Sequence, residues 1–450
     1  MSKINILKLG YLEDTSIVYD LIHDHDWPIY LCSNNKIFPD HKYDIITAQP
    51  REKIFFYNDK TIIEKNGKKI TSTEEPIYVL KDLMKKYKND NSDLPFTGGA
   101  IGYISYDHGA RYENISQKYN DFNIPSFAFG LYDWAYIADH DTKQSCLIYH
   151  EKNSFIKSII DSLNSYPKNQ KKYFFKIKSK CESNTTYNEY KKKFDKIKRY
   201  IEEGDCYQIN FSQRFSAKYE GDCYSIFKKL NKVYASPYTG FINFPFIKIM
   251  TFSPECFISQ NKEHVSTKPI KGTRPISKDS IENKKIIDEL LNSDKDKAEN
   301  LMIVDLLRND FGRNCKYGSV SVENLFDVET FSNVHHLVST VNGTISNNSD
   351  IYSLLKGCFP GGSITGAPKI RAMQIIDEIE CSNRGIYCGS IGYISGNDKS
   401  NLNIAIRTIF ADDNTLYFWG GGGIVYDSEV ELEYKETLDK VRPLLDLFKA

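Results

Sequence analysis

The sequence lacks the features that define several large classes of protein. No apolar run reaches the roughly 18 residues of a membrane-spanning helix, and the N-terminus has no long apolar segment followed by a small-residue cleavage site. Both absences predict a cytoplasmic protein. The 59 Lys and Arg residues balance 59 Asp and Glu residues, and this zero net charge argues against a strongly basic nucleic-acid-binding protein.

Metal-binding and disulfide patterns are also missing. The ten Cys residues are spread singly and form no CxxC pair, which excludes the usual zinc-ribbon and thioredoxin patterns. Such scattered cysteines are typical of free thiols in a reducing compartment. The nine His residues are scattered too, with His335 and His336 as the only adjacent pair, and nothing indicates a His-rich metal site.

The sequence does contain enough apolar and aromatic material for a large folded core. Of its 450 residues 40% are apolar, and 31 Tyr and 26 Phe exceed what a disordered chain carries. The length corresponds to about two to four domains. The Lys-rich stretch 164–195 has few aliphatic residues, which is typical of a surface linker leading into a solvated helix. We therefore predict an N-terminal domain at 1–165, a linker at 166–185 and a C-terminal domain at 186–450.

Hydrophobic spacing predicts a mixture of helices and long strands. The predicted helices lie near residues 18–25, 76–88, 186–203, 280–291, 296–309, 367–380 and 428–448. The predicted strands lie near residues 29–33, 44–48, 53–58, 98–107, 130–139, 207–219, 248–254, 255–259, 264–270, 386–395, 401–411 and 415–421. Strict alternation of strand and helix is absent, so the predicted fold class is α+β rather than a doubly wound sheet.

Two glycine-rich segments are candidates for binding an anion or another ligand. PGGSITGAPKIRAM (360–373) places glycines ahead of a predicted helix, whose first N–H groups are free to bind an anion. It is not a Walker A loop, because Ala-Pro follows the last glycine where that motif has Lys-Ser or Lys-Thr. WGGGGIVYDSE (419–429) lies between a strand and a helix, and its four glycines permit close backbone approach. Either segment taken alone also fits a tight turn.

Two predicted helices carry carboxylates on one face. Asp296 and Glu299 are spaced i, i+3, and Glu429, Glu433 and Glu436 are spaced i, i+4, i+7. Each set fits a solvated helix face. If the two faces converge, the carboxylates repel each other unless a cation lies between them, and oxygen ligands of this kind suit Mg²⁺.

A lysine and a glutamate near strand ends are candidates for covalent and acid catalysis. Lys271 precedes a glycine and follows a short predicted strand. A lysine is a nucleophile only when it is neutral, which requires a desolvated or cationic setting. Glu255 follows a proline at a strand end, which is a suitable position for a general acid. The alternatives are a surface-loop lysine and an ordinary strand-end charge.

In their order along the chain, these segments resemble the motifs of the chorismate-utilising enzymes. That family includes anthranilate, aminodeoxychorismate, isochorismate and salicylate synthases. The motifs that carry the resemblance are FSPE (252–255), PIKGT (269–273), AENLMIVDLLRND (298–310), HLVSTVNG (336–343), PGGSITGAPKIRAM (360–373), IAIRT (404–408) and GGGGIVYDS (420–428). The resemblance implies large mixed or antiparallel sheets that form a sandwich with helices packed outside.

The resemblance also assigns the two predicted domains. It makes 186–450 the chorismate-binding catalytic domain. The N-terminal part is similar to the N-terminal domain of anthranilate synthase component I, through DLPFTGGAIGYISYDHGARYE and GLYDWAYIADHD.

Two segments distinguish between branches of the family. PIKGT, which contains Lys271, and PGGSITGAPK are similar to aminodeoxychorismate synthase component I, whereas anthranilate synthases usually read PIAGT and PAGTLSGAPK. This resemblance implies that chorismate and ammonia give 4-amino-4-deoxychorismate, on the branch to p-aminobenzoate and folate. The alternatives are anthranilate synthase component I, an isochorismate or salicylate synthase, and a catalytically inactive paralogue.

The resemblance further implies roles for individual residues. Lys271 would attack C2 of chorismate as the hydroxyl leaves C4, Glu255 would be the general acid, and His336 would lie near the ring. The implied substrate-binding residues are Tyr387 and Arg407 for the enolpyruvyl carboxylate, and Ser363, Gly421, Gly422, Gly423 and Lys440 for the rest of the anion. The implied Mg²⁺ residues are Glu299 and Glu436 as direct ligands, with Asp296 and Glu433 acting through waters.

Two partners are implied as well. Ammonia in such enzymes comes from a separate glutamine amidotransferase subunit, and no cysteine of this sequence lies in a recognisable nucleophile elbow. We therefore expect a heteromeric complex. Relatives also have a tryptophan pocket in the N-terminal part, and Ser33 with Tyr43 resembles its edge.

Overall fold

The computed structural model describes residues 4–33, 42–89, 92–151, 154–165, 171–234, 236–330 and 334–448. The α-helices in these ranges are α1 (Ser16–Ile22), α2 (Pro76–Met84), α3 (Tyr106–Tyr112), α4 (Ser154–Ser165), α5 (Tyr187–Glu202), α6 (Cys223–Asn231), α7 (Ser280–Leu291), α8 (Asp294–Gly312), α9 (Ile351–Cys358), α10 (Lys369–Ile379) and α11 (Val430–Leu447). Single 3₁₀ turns lie at Lys85–Tyr87 and Gly362–Ile364.

The strands account for most of the remaining regular structure. They are β1 (Asn5–Leu9), β2 (Ile29–Cys32), β3 (Tyr43–Thr47), β4 (Glu52–Tyr57), β5 (Lys60–Lys65), β6 (Lys68–Ser72), β7 (Gly99–Ile104), β8 (Phe127–Tyr132), β9 (Trp134–Asp139), β10 (Gln144–Tyr149), β11 (Phe175–Ile177), β12 (Glu182–Ser183), β13 (Gln208–Gly221), β14 (Tyr238–Phe244), β15 (Ile247–Ser253), β16 (Cys256–Asn261), β17 (His264–Lys268), β18 (Ile270–Pro275), β19 (Ser321–Thr330), β20 (Val334–Thr344), β21 (Gly366–Ala367), β22 (Ser390–Ser395), β23 (Lys399–Ile404), β24 (Thr408–Asp412) and β25 (Thr415–Ile424).

Two large sheets form the framework of the protein. The first has 13 strands in the order β1-β10-β9-β3-β2-β14-β15-β24-β25-β13-β11, and β12 and β21 also pair with β13. The second has 12 strands in the order β18-β20-β17-β16-β23-β22-β7-β8-β4-β5-β6, and β19 also pairs with β20. Neighbouring strands such as β13 and β25 run antiparallel. The predicted α+β class with large antiparallel sheets is confirmed.

Strands from the two ends of the chain are interleaved in both sheets. In the first sheet β2 pairs with β14, and in the second sheet β7 pairs with β22. Within the predicted linker, residues 166–170 lie outside the described ranges, and β11 and β12 both pair with β13. The division into domains at 166–185 stays a prediction.

The two faces of the first sheet enter different cores. Along β3, Ile45 contributes to a core that also holds Ile54 and Ile101 of the second sheet, so this core joins the two sheets as a sandwich. The next residue, Ile46, points the other way into a core that contains residues of helices α1, α4, α6 and α11. No helix in the described ranges is long and apolar enough to cross a membrane.

Local capping explains where the structure departs from the predicted elements. The predicted strand at 98–107 ends at Ile104, because the side chain of Ser105 accepts a hydrogen bond from the N–H of His108 and begins helix α3. Similarly, the side chain of Ser293 caps α8 by accepting the N–H of Asp296, so α8 begins two residues before the predicted helix.

Candidate active site

A single cavity collects most of the residues that the sequence predicts for the site. It has a volume of about 880 Å³ and is lined by residues of β18, β20 and β25 and of helices α8 and α11. A volume of this size accommodates a small organic substrate. The predicted residues that line it are Glu255, Lys271, Asp296, Glu299, His336, Ser363, Tyr387, Arg407, Gly421, Gly423, Glu433, Glu436 and Lys440. Gly422 is not among the residues that line the cavity.

Glu255 and Lys271 both contact the turn that contains Ser363. Glu255 lies between β15 and β16 and is only 4% exposed. Burial raises its pKa to about 7, although a hydrogen bond with the Ser363 side chain and the charge of Lys271 act against this rise. The Lys271 Nζ donates a hydrogen bond to the Ser363 carbonyl oxygen at 3.3 Å. A carboxyl group with a raised pKa and an amine thus share one turn.

A bulge in β18 presents Lys271 to the cavity. The pairing of β18 with β20 shifts register between Lys271 and Thr273, and the intervening Gly272 has φ 72°, which favours glycine. Burial lowers the pKa of Lys271, and the nearby charges of Glu299 and Glu255 act against this. The burial favours the neutral amine that a nucleophile requires.

His336 lies on β20 beside the same bulge. Its Nδ1 is 2.8 Å from the hydroxyl oxygen of Thr273, and only 2% of the residue is exposed. Burial, assisted by the charge of Arg407, lowers the pKa of His336 to about 3. The imidazole is therefore neutral at physiological pH, with its orientation set by Thr273.

Arg407 and Tyr387 line the cavity close to an aromatic cluster. Arg407 follows β23 with φ 49°, and its guanidinium forms no ion pair with any described residue. Burial lowers its pKa because no carboxylate compensates the desolvated charge. The Tyr387 ring stacks on Trp419, with 5.6 Å between ring centroids and 5° between ring planes. A partly buried cation without an ion pair to a described residue fits an anionic ligand.

The predicted carboxylates do converge on the cavity. Glu299 comes from α8, whereas Glu433 and Glu436 come from α11. Burial raises the pKa of both Glu299 and Glu433, and Ser428 donates a hydrogen bond to Glu433 at 2.7 Å. Burial acts on Glu436 in the same direction, but its ion pair with Lys440, at 2.6 Å, outweighs this and lowers the pKa. Three carboxylates thus border one space.

The donor set fits a metal that takes few protein ligands. No group of three or more His, Cys, Asp or Glu side chains in the described part of the chain is arranged to hold a metal ion by itself. Mg²⁺ is usually bound by one or two carboxylates together with waters and substrate oxygens, so Glu299 and Glu436 suffice chemically. The oxygen-only chemistry of this wall does not suit a thiolate-seeking metal.

Asp296 and Lys440 already have partners at the cavity wall. The Asp296 Oδ2 accepts a hydrogen bond from Arg274 Nη2 at 2.9 Å, so one of its two oxygens is engaged. The Lys440 Nζ donates to the carbonyl oxygen of Gly421 at 2.9 Å, in addition to its ion pair with Glu436. The water-mediated contact predicted for Asp296 stays a prediction.

The four-glycine run brings helix α11 onto strand β25. A Cβ atom on Gly420 would collide with the carbonyl oxygen of Thr437, and one on Gly422 would lie 3.2 Å from Oε2 of Glu433. The absence of these side chains lets the helix backbone rest on the strand. The glycines therefore place Glu433 and Glu436 over the sheet, in addition to lining the cavity at Gly421 and Gly423.

The other glycine segment reaches the cavity through its turn rather than through its helix. Ser363 and Ile364, in the 3₁₀ turn, line the cavity. Helix α10 begins only at Lys369, whose buried Nζ donates to Asp310 at 2.6 Å. Anion binding by this segment stays a prediction, and the part of it that lines the cavity is the turn before the helix.

The residues predicted for a tryptophan pocket lie elsewhere. Ser33 and Tyr43 border a smaller cavity of about 90 Å³ between β2, β3, β14 and β15 of the first sheet and β22 and β23 of the second. The N–H of Ser33 donates to Asp44 Oδ1 at 2.7 Å. Residues 34–41, which follow Ser33, lie outside the described ranges. Tryptophan binding stays a prediction.

Sequence reasoning missed several residues of the cavity wall. Asn210 on β13, Thr273 on β18 and Trp419 on β25 all line the cavity. Thr273 and Trp419 lie within quoted motifs, whereas Asn210 lies in the predicted strand at 207–219, so position in a motif was a signal only for the first two. A side chain inside a strand motif gives no indication of which face it occupies until the register is known.

Comparison with known proteins identifies the class. The family described as chorismate binding enzyme matches residues 39–446. The chain is 41% identical over 445 residues to "Aminodeoxychorismate synthase component 1" of Escherichia coli (strain K12), covering 98% of this chain and 97% of that protein. It is 35% identical over 404 residues to "Anthranilate synthase component 1" of Aquifex aeolicus (strain VF5), covering 85% and 81% respectively.

A solved structure agrees with these relationships. Anthranilate synthase component I from Streptococcus pneumoniae TIGR4 superimposes with a TM-score of 0.76 at 31% identity, covering 90% of this chain and 92% of that one. The chain belongs to the chorismate-binding enzyme family. The resemblance predicted from the motifs is confirmed.

Proposed function

We propose that this chain aminates chorismate at C4, the reaction of an aminodeoxychorismate synthase component 1, and forms 4-amino-4-deoxychorismate. The observation that carries the proposal is that Lys271 and Glu255, from different strands, both contact the Ser363 turn inside one cavity. The greater identity to proteins of that name, 41% against 35% for an anthranilate synthase, supports amination at C4.

The first half of the reaction uses Lys271 as nucleophile and Glu255 as acid. The neutral amine of Lys271 forms a bond to C2, the ring double bonds shift, and the C4–O bond breaks. The proton of Glu255 goes to the departing hydroxyl, which leaves as water. Hydroxide is a poor leaving group, so an acid whose pKa is raised to about 7 is suited to this step.

The second half restores the lysine and completes the balance. Ammonia forms a bond to C4, the double bonds shift back, and the bond between C2 and the Lys271 nitrogen breaks. The proton released as ammonia becomes a neutral amine returns to Glu255. The sum is chorismate plus ammonia giving 4-amino-4-deoxychorismate plus water, with the enolpyruvyl ether retained. Covalent catalysis thus divides one difficult displacement into two steps.

The other wall residues bind and orient the substrate in this proposal. Arg407 and Tyr387 bind the enolpyruvyl carboxylate, which supplies a counter-charge for the partly buried guanidinium. Lys440 and the backbone near Gly421 hold the remainder of the anion. His336 packs against the ring as a neutral imidazole.

We also propose Mg²⁺ as the cofactor. Glu299 and Glu436 would hold it, and Glu433 and Asp296 would hold its waters. Mg²⁺ supplies positive charge that offsets the repulsion among these carboxylates and attracts the ring carboxylate of the substrate.

Ammonia would reach this chain from a glutamine amidotransferase subunit. The name "component 1" of the relatives supports a second component. We place the complex in the cytoplasm, and the ten cysteines, all free thiols, support a reducing compartment.

The test is a product assay on the purified chain. Chorismate, Mg²⁺ and an ammonium salt are mixed with the protein at mildly alkaline pH, and the products are separated by mass spectrometry. The proposal predicts a product that has gained an amine and kept the enolpyruvyl group, and that an added lyase converts to p-aminobenzoate.

Two other products would overturn the proposal. Fluorescent anthranilate with released pyruvate would assign the chain to the anthranilate synthases. A product formed without ammonia, in which the hydroxyl group has moved from C4 to C2, would assign it to the isochorismate or salicylate synthases.

A further inference from the structure

Arg384 is a fully buried cation whose charge is already compensated. It lies between α10 and β22 and is 1% exposed. Its Nε donates to Glu380 Oε2 at 2.9 Å and its Nη2 donates to Glu380 Oε1 at 2.7 Å, which is a bidentate ion pair. Glu380 Oε1 also accepts the N–H of Ser212 at 2.8 Å. The guanidinium lies 4.6 Å from the ring centroid of Tyr106.

The remaining donors of Arg384 bind the carbonyl oxygens of two residues that line the active-site cavity, and we call these hydrogen bonds the clamp. Nη1 donates to the carbonyl oxygen of Ile364 at 3.0 Å, and Nη2 donates to the carbonyl oxygen of Asn210 at 2.6 Å. The Asn210 side chain donates to the same Ile364 carbonyl at 2.9 Å. Ile364 and Asn210 line the cavity, as does Tyr387, whose ring centroid is 5.8 Å from the guanidinium. Arg384 is not among the residues that line the cavity.

This clamp acts one residue away from the reacting groups. Ile364 directly follows Ser363, whose carbonyl oxygen accepts a hydrogen bond from Lys271 Nζ and whose side chain forms a hydrogen bond with Glu255. Two hydrogen bonds therefore fix the position of a turn that both reacting residues contact. A shift of that turn would change both contacts together.

We propose that Arg384 is a positioning residue for chorismate amination, which holds the Ser363–Ile364 turn so that Lys271 and Glu255 stay aligned. This inference rests on the proposed function. Arg384 pairs with Glu380 and does not line the cavity, whereas Arg407 lines the cavity and has no acidic partner among the described residues. Arg384 touches neither substrate nor the reacting atoms, and its effect on the rate passes through the turn.

The test compares variants that loosen the clamp. Arg384→Lys keeps a positive charge near Glu380 but loses the planar fork that reaches both carbonyls. The double variant Arg384→Gln with Glu380→Gln removes both charges, so that no unpaired charge is left buried. Because a misplacement of about 1 Å can cost about a hundredfold, we expect kcat to fall by about that factor while KM for chorismate changes by less than about threefold.

A pH profile separates positioning from general loss of structure. Burial raises the pKa of Glu255 to about 7, and the Ser363 side chain, Lys271, Lys440 and the backbone of Ile270 act against this rise. Loosening the Ser363 turn weakens the hydrogen bond between the Ser363 side chain and Glu255. The ionisation that wild type shows near pH 7 should therefore move to higher pH in both variants.

The matched control is Glu52→Gln on β4. Glu52 is also a buried acid, at 3% exposure, and pairs with Lys65 at 2.7 Å and with Lys86, but it does not line the cavity. This variant should lose thermal stability and keep the wild-type kcat and pH profile.

Each outcome decides the inference. A lowered kcat with a displaced ionisation in either folded Arg384 variant supports it. Wild-type kcat and pH profile in Arg384→Lys, or the same change in Glu52→Gln, overturns it. Wild-type protein that forms no 4-amino product contradicts the proposed function instead, which keeps the two failures distinguishable.

Discussion

Replacing Arg407 by glutamine should weaken substrate binding without lowering the stability of the protein. The guanidinium is desolvated, burial lowers its pKa, and no described acidic residue pairs with it. In the free protein the charge therefore costs solvation energy without a compensating partner. Glutamine removes that cost, so the melting temperature of Arg407→Gln should equal or exceed that of wild type.

The effect on catalysis should be opposite and large. Removing one partner of a buried, hydrogen-bonded charge pair costs about 2–5 kcal/mol, and about 1.4 kcal/mol corresponds to tenfold. If Arg407 binds a carboxylate of chorismate, kcat/KM should fall between about 30-fold and about 4,000-fold. The loss should appear mainly in KM, since the carboxylate is present in substrate and transition state alike.

Steady-state kinetics with chorismate and ammonium, together with thermal unfolding, measure both quantities. The control is Arg371→Gln, which makes the same chemical change on a partly exposed residue that pairs with Asp205 at 2.9 Å and does not line the cavity. That variant should leave kcat/KM unchanged. An unchanged KM in Arg407→Gln, or a melting temperature several degrees lower, would refute the reasoning.

Three further predictions concern the reacting groups and the metal. Lys271→Ala should lower C4 amination at least about a thousandfold, the scale of nucleophile removal in other enzymes, and unchanged product formation would remove Lys271 as nucleophile. The wild-type rate should rise with pH below about 7, because the neutral fraction of Lys271 increases. Above that pH the rate should level off, because Glu255, whose pKa is about 7, loses the proton it donates and this loss offsets the further gain in neutral Lys271. In Glu255→Gln the residual rate should keep rising past that pH, and a bend at the same pH would assign the ionisation to another group. Glu436→Gln should raise the Mg²⁺ concentration for half-maximal activity at least about tenfold, whereas an unaltered Mg²⁺ titration would exclude Glu436 from the site.

The chemistry of the site could be predicted from the sequence only when the motifs were taken together. Taken alone, Lys271 fits a surface loop better than a catalytic site, and Glu299 alone fits a solvated helix face better than a metal site. The order of the motifs along the chain indicated one enzyme family, in which both residues belong to the active site. Both residues do line the cavity. The glycine run at 420–423 was expected to allow close approach of a ligand to the backbone. In the structure it also allows close approach of helix α11 to strand β25.

Long-range pairing could not be predicted from local patterns. The pairing of β7 with β22 joins residues that are almost three hundred positions apart, and strand periodicity does not specify partners. Arg384 escaped notice for a related reason. Arginine is usually exposed, so burial at 1% depends on an ion pair with Glu380 and on carbonyl groups supplied by distant elements.

The position of the new nitrogen tests the central claim most directly. The purified chain is incubated with chorismate, Mg²⁺ and isotopically labelled ammonium, and the product is examined by nuclear magnetic resonance. The account predicts the label on C4 of a ring that keeps its enolpyruvyl ether. Label on C2 of an aromatic ring, with pyruvate released, would contradict it.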